Sequence, residues 1–337
     1  MKWALIGASD IAATRMIPAM RAVGHDVVGV MSSSEDRGHT YAKANGLPLA
    51  TTDLGELLDR DCDAVYISTT NQRHAREAVR SARAGKHVLC EKPLAMSIAD
   101  AQAVIDACRA SKVVLGTNHH IRNSAVISRM RDLLHSGAIG ELRAVRVHHA
   151  VSLPERLRGW RLTDRAAGAG VILDIGVHDA DTLRFVTGLE VLLVSAIAAS
   201  QQLSRDGVED TAICSLVFHG GAVAMTHESF VTPHAYTALE VHGSGGSIYG
   251  RDVLTQDPVG EIRLRRDGIE TLVEVPERPD LYQVALNAFA RSTTGGGPPS
   301  CTGEDGLASL AVALAALASV QQRRPVAVSE ILTGSAG

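Results

Sequence analysis

Residues 3–12 read Trp3-Ala4-Leu5-Ile6-Gly7-Ala8-Ser9-Asp10-Ile11-Ala12: an apolar run that stops at a glycine and passes directly into a helix start. This is a reduced form of the dinucleotide fingerprint, keeping the first glycine and placing Ala12 where the third would stand. Small residues there let the turn close tightly and bring a pyrophosphate toward backbone N–H groups at a helix N-terminus. Ser9 costs some closeness of approach, Asp10 adds a negative charge, and Pro18 must sit in a first helical turn or at a kink. A strand-to-helix turn without a ligand would look the same, so the rest of the chain has to decide.

Working outward, short β-branched runs recur at 26–32, 63–68, 86–91 and 112–118, separated by helical segments Asp53–Asp59, Gln72–Ala84 and Ile98–Ala110. Ser97 and Asp100 give the last of these a capping-box start. Strands alternating with helices predict an α/β fold with a doubly wound parallel sheet. From about residue 142 the pattern changes to long alternating segments joined by glycine turns (211–230, 238–243, 246–250), which read as antiparallel strands. Helices are expected at Asn123–His135, Gly168–Thr187, Leu281–Ser292 and Glu304–Gln321. The expected division is a Rossmann domain over 1–120 and an α+β domain with a large, mostly antiparallel open sheet over 121–337, whose last helices can pack back on the first domain.

Composition sets outer limits. The 337 residues carry 33 Lys and Arg against 37 Asp and Glu, a formal charge of −4, and 45% are hydrophobic. That supplies a packed core and offers no basic footprint for nucleic acid. The apolar run Leu307–Val320 is shorter than a bilayer span and reads as a buried helix, and residues 3–8 are too short for a signal-peptide core. Neither a membrane nor a secretory route is expected, and the cytoplasm is. The five scattered cysteines suggest neither disulfides nor a zinc ribbon; all are expected reduced.

Four places carry chemistry. Where the second strand ends, at Met31-Ser32-Ser33-Ser34, no carboxylate awaits a ribose 2′-hydroxyl; Ser32 leaves room for a phosphate and Arg37 can pair with one, which favours NADP(H). A solvated loop arginine is the plain alternative. Lys92, after the strand ending Cys90-Glu91, lies at the carboxyl edge of the sheet, where an ammonium can polarise a carbonyl; a surface lysine would also fit. Asp174 and His178 share a helix face at i, i+4 as an acid–base pair. A metal site completed by His148 or His149 lacks a third close ligand, so no metal is expected. Trp160 and Arg161 sit in a polar loop able to close over a ligand. One member each of His119-His120 and His148-His149 is expected at the sheet edge.

The segments GASDIA (7–12), STTNQRH (68–74), AGKHVLCEKPLA (84–95) and GVILDIGVHDADTLRF (170–185), in this order and spacing, resemble the Gfo/Idh/MocA oxidoreductases over nearly the whole chain. The resemblance implies reduction of a sugar ketone by NADPH, with Lys92 and His178 donating protons to the oxygen and Asp174 orienting the substrate. It also implies that His149, Trp160 and Arg161 contact substrate or nicotinamide. Gly7, Ser9, Ile11, Ala12, Ser32, Ser33, Arg37, Thr69, Asn71, His74, Glu91, Lys92, Asn118, Trp160, Arg161 and Tyr282 would line the cofactor groove. Oxidation of a polyol or glucoside with NAD, and a glycosidase retaining NAD, are the rival activities. The partner is a small sugar, and a monomer and a homodimer are equally compatible.

Overall fold

The computed structural model describes residues 1–205 and 207–334. The chain divides into two compact units, Met1–His119 with Tyr282–Leu307, and His120–Leu281 with Ala308–Gly337.

The first unit is built on a six-stranded parallel sheet of β1 (Lys2–Ile6), β2 (Asp26–Met31), β3 (Ala50–Thr51), β4 (Ala64–Ile67), β5 (His87–Cys90) and β6 (Leu115–Thr117), in the order β3-β2-β1-β4-β5-β6. Every residue of β4 is buried, as expected for a strand covered on both faces. The helices between the strands are α1 (Ile17–Ala22), α2 (Glu35–Asn45), α3 (Leu54–Leu58), α4 (His74–Arg83) and α5 (Ile98–Ala110). Ser97 caps α5 by accepting from the Asp100 amide, at the residue where the sequence placed the start. Pro18 occupies the first turn of α1, preceded by a π-helical turn over Ala12–Met16. The sequence reading missed α2 and the two-residue edge strand β3. The five cysteines are buried and free.

The second unit carries nine strands: β7 (Leu142–Ala150), β8 (Val191–Ala199), β9 (Thr211–Phe218), β10 (Val223–Ser229), β11 (Ala238–Gly243), β12 (Ser247–Arg251), β13 (Glu261–Arg266), β14 (Ile269–Val273) and β15 (Val326–Ala327). Their order is β14-β13-β12-β11-β7-β10-β9-β8-β15. All neighbours run antiparallel except β7 and β10, which pair in parallel, with His149 opposite Glu228, so the sheet is mostly antiparallel, as expected. Along β9, Ala212, Cys214, Leu216 and Phe218 point inward, while Ile213 is half exposed.

Helices α6 (Ala125–His135), α7 (Trp160–Thr163) and α8 (Val177–Thr187) follow in this unit. The stretch read as one helix from Gly168 is a π-helical turn, Ile172–Gly176, running into α8. Where a polar loop was expected around Trp160, the chain instead forms α7 between two short 3-10 turns. Helices α9 (Leu281–Ser292), α10 (Gly303–Gln322) and α11 (Val328–Leu332) complete the chain. At 20 residues α10 outruns the apolar stretch Leu307–Val320 and is long and apolar enough to cross a membrane; 56% of its most apolar window is buried within the protein. Val312, Ala313 and Ala316 face Val194 and Leu216 of the second sheet, as in a core helix.

Candidate active site

In the first unit the ends of β1, β2, β4 and β5 gather the expected cofactor residues. Gly7 has φ +113°, and a Cβ there would lie 2.9 Å from the backbone of Ser68 and Thr69. Only glycine lets β1 and β4 end this close together. Beyond it, Ser9 Oγ lies 2.7 Å from Ser68 Oγ and accepts from the Ala12 amide at 3.2 Å. Helix α2 reaches back over the same turn: Arg37 Nη2 donates to the Ala8 carbonyl at 2.7 Å, and the Tyr41 hydroxyl donates to the Ser9 carbonyl at 3.0 Å. Ser32 at the end of β2 is buried, and its Oγ has no hydrogen-bond partner among the described residues; Ser33 beside it is exposed. A tight glycine turn at the strand ends, with a buried hydroxyl left unsatisfied where β2 ends, fits a dinucleotide.

Around β4 and β5 the residues are tied by buried polar contacts. Glu91 Oε1 accepts from the Tyr66 hydroxyl at 2.5 Å and from Asn118 Nδ2 at 2.6 Å. Burial raises the Glu91 carboxyl above its ordinary range, against the pull of these bonds. His74 spans the two strand ends, with Nδ1 2.8 Å from the Pro93 carbonyl and Nε2 3.1 Å from the Thr69 carbonyl. It is almost wholly buried, and burial lowers its pKa. Thr69 Oγ1 donates to Glu77, which also binds Arg73. Lys92 is half-buried just past β5, and its bond to Pro93 is cis. Asn71 is buried, and Tyr282 is fully buried.

In the second unit the π-helical turn sets the catalytic candidates. Gly170, with φ +114°, leaves space that Glu209 fills: a Cβ would meet its carboxylate, whose Oε1 accepts from the Ile172 amide at 3.3 Å. The turn so anchored presents Asp174, and His178 follows in α8. Asp174 Oδ1 lies 3.4 Å from Arg161 Nε, and the Arg161 guanidinium lies over the Trp160 ring at 4.6 Å. The structure therefore brings Asp174, Arg161 and Trp160 into one cluster. His178 is buried, edge-on to His120 at 4.8 Å.

The His148-His149 doublet separates as alternate residues of a strand must. His149 is buried, its Nδ1 2.7 Å from Asp179 Oδ1, whereas His148 pairs with His227, their Nδ1 atoms 3.2 Å apart. Asp179 in turn meets Glu228 of β10. Burial raises both carboxyls, and for Glu228 the charge of Asp179 adds to it. Sequence reasoning passed over Tyr41, Tyr66, Asp179 and Glu228. A signal was available for Glu228: it occupies an inward slot of the alternating strand, after Ala224 and Thr226. A carboxylate in such a slot needs a buried partner.

Comparison with known proteins bears on both units. Residues 1–119 match the family model described as "Oxidoreductase family, NAD-binding Rossmann fold", and residues 127–249 the model described as "GFO/IDH/MocA C-terminal domain". The chain is 50% identical over 316 residues to 1,5-anhydro-D-fructose reductase of Ensifer adhaerens, covering 93% of this chain and 94% of the relative. It is 29% identical over 304 residues to myo-inositol 2-dehydrogenase of Thermotoga maritima, covering 88% and 90%. Among solved structures it resembles the aldose-aldose oxidoreductase of Caulobacter crescentus, with a TM-score of 0.88, 26% identity, and 97% and 99% of the two chains covered.

Proposed function

The chain belongs to the GFO/IDH/MocA oxidoreductases, and from that premise we propose that it reduces 1,5-anhydro-D-fructose to 1,5-anhydro-D-mannitol with NADPH. The observation that carries this reading is the 50% identity, over nearly the full length of both chains, to a 1,5-anhydro-D-fructose reductase. The buried Ser32 hydroxyl and Arg37, at a strand end that offers no carboxylate, support the phosphorylated cofactor. Gly7, Ser9, Ile11, Ala12, Ser32, Ser33, Arg37, Thr69, Asn71, Lys92, Asn118 and Tyr282 would hold it, with His74 and Glu91 fixing the strand ends. When bound, the nicotinamide supplies the hydride.

The remaining chemistry belongs to the chain. Lys92 is a cation at the edge of the parallel sheet and stabilises negative charge on the carbonyl oxygen. His178 donates the proton that oxygen needs. Asp174 accepts from sugar hydroxyls while Arg161 holds its carboxylate in place. His149 and Trp160 contact the sugar. A cytoplasmic monomer or homodimer acting on a small sugar is the setting this reading carries, and the five free, buried cysteines accord with a reducing compartment.

The test follows nicotinamide absorbance with NADPH or NADH and 1,5-anhydro-D-fructose, alongside myo-inositol and glucosides with the oxidised cofactors. The expected result is loss of NADPH with anhydrofructose, much faster than loss of NADH. Turnover only of a polyol with NAD would replace both substrate and cofactor by those of an inositol-type dehydrogenase. Turnover of a glucoside without net change in the nicotinamide would indicate a glycosidase.

A further inference from the structure

Behind His149 lies a pair of carboxyl groups that the proposed reaction does not use. Asp179 and Glu228 are both buried, and Asp179 Oδ2 and Glu228 Oε2 have no donor among the described residues. The two carboxyl groups nevertheless lie against each other, Glu228 opposite His149 on the neighbouring strand and Asp179 bonded to the same ring. Carboxylates are acceptors only, so such a contact requires one of them to carry a proton. Asp179 Oδ1 takes the other direction, 2.7 Å from His149 Nδ1. Among the described residues neither acid pairs with a lysine or an arginine, and His149 is the one basic side chain bonded to the pair. From β7 the pair faces His149 and, farther away, His148; from β9 it faces the Cys214 thiol. Gly176 of the π-helical turn brings no side chain to Glu228, its absent Cβ lying 3.6 Å from Oε1, and α10 contributes Val312, Ala313 and Ala316. Cys214, Gly176, Thr226 and the three residues of α10 line a cavity of about 20 Å³ beside Glu228.

We propose that Asp179 and Glu228 share one proton and, through the Asp179–His149 hydrogen bond, hold the His149 ring protonated on Nδ1, so that Nε2 accepts a hydrogen bond from a hydroxyl of the bound sugar. The second half rests on the substrate role proposed above for His149. Asp179 and Glu228 are positioning residues. The shared proton keeps the pair at a single negative charge and holds the two carboxyls together; were it lost to solvent, the two charges would repel each other and Asp179 would no longer be held in place against Nδ1, releasing the bond that keeps Nε2 an acceptor. Burial, together with the mutual repulsion of the two charges, places that loss well above the ordinary carboxylate range.

Two variants and two readouts test this on the intact protein. Long-range proton–nitrogen NMR of the histidine rings, with the His149 signal assigned by its absence in His149→Gln, is expected to show Nδ1–H in the wild type and in Glu228→Gln. In Asp179→Asn, whose amide donates to Nδ1, the ring is expected to shift to Nε2–H. In steady-state kinetics Asp179→Asn should raise KM for the sugar by about tenfold with a smaller change in kcat. The wild-type KM should rise on the alkaline side, and Glu228→Gln, whose amide donates to Asp179 at every pH, should abolish that rise. An Nε2–H ring in the wild type, or an unchanged alkaline limb in Glu228→Gln, overturns the proposal. If no sugar is turned over the substrate reading fails, while the NMR arm still decides how His149 is held.

Discussion

Arg37 Nη2 donates to the main-chain carbonyl of Ala8 at 2.7 Å, so a guanidinium from the helix after β2 is anchored to the turn after β1. This bond uses one N–H of the guanidinium, and in the proposed cofactor reading others bind the 2′-phosphate. Arg37→Ala is expected to weaken NADPH binding by about tenfold and to change NADH binding little, since only the 2′-phosphate is lost as a partner. Ser32→Asp should do more, rejecting the phosphate and accepting from a ribose 2′-hydroxyl, and so reverse the preference. Fluorescence titration with both cofactors checks this. Unchanged NADPH affinity in Arg37→Ala would move the assignment to NAD.

Lys92→Ala and His178→Ala are each expected to lower turnover of the sugar by about 10² to 10⁴, the range of a positioned acid. Lys92 is half-buried next to a frame whose hydrogen bonds, Glu91 to Tyr66 and Asn118 and His74 to Pro93, are made without its ammonium. Cofactor affinity should therefore survive in His178→Ala and fall only modestly in Lys92→Ala, whose ammonium is one of several groups proposed to hold the cofactor. Retained turnover in both, measured at saturating cofactor, would remove these residues from the chemistry.

Much of this frame is legible in the sequence, and the parts that are not share a physical reason. Strands such as Ala64–Ile67 announce themselves because a parallel strand is buried on both faces, and Ile98–Ala110 is delimited by its Ser97 cap. The edge strand Ala50–Thr51 has too few residues for any period. The parallel pairing of β7 with β10 depends on which strands become neighbours, information that lies outside either segment. Lys92, Asp174 and His178 stand out as charged groups at strand ends or at helical spacing. Asp179 follows His178 on the same helix and reads as a surface residue; only the fold shows that it meets His149 and Glu228.

His74 should make stability depend on pH. Burial holds its folded-state pKa below the unfolded value of about 6.5. The folded protein thus binds fewer protons than the unfolded chain in this window. The stabilisation is complete above about pH 6.5 and is lost as pH falls through the lower folded value. Urea unfolding of wild type and His74→Gln from pH 8 to 5 should show the variant less stable at pH 8 by about 0.5–1.5 kcal/mol, for the one bond to Pro93 or Thr69 that the single N–H of the neutral ring donates. The difference should shrink on acidification. A constant difference would mean that His74 does not stay neutral in the fold.

Arg122 and Asp181 form an ion pair at 2.6 Å whose side chains are 8% and 1% exposed. Ser309 Oγ donates to the other carboxylate oxygen at 3.1 Å, and the guanidinium lies over the Phe185 ring at 5.4 Å. Bringing both charges out of water costs several kcal/mol, which their attraction and these added bonds offset. Removing one partner leaves the other charged and buried. Asp181→Ala should therefore cost about 3–5 kcal/mol, and Arg122→Met a similar amount. Combining Arg122→Met with Asp181→Leu removes both charges and fills the space with apolar atoms. That double variant should be more stable than either single one, with a large favourable coupling in the thermodynamic cycle from urea midpoints. Additive losses would show that each side chain acts through packing and that the ion pair contributes nothing of its own.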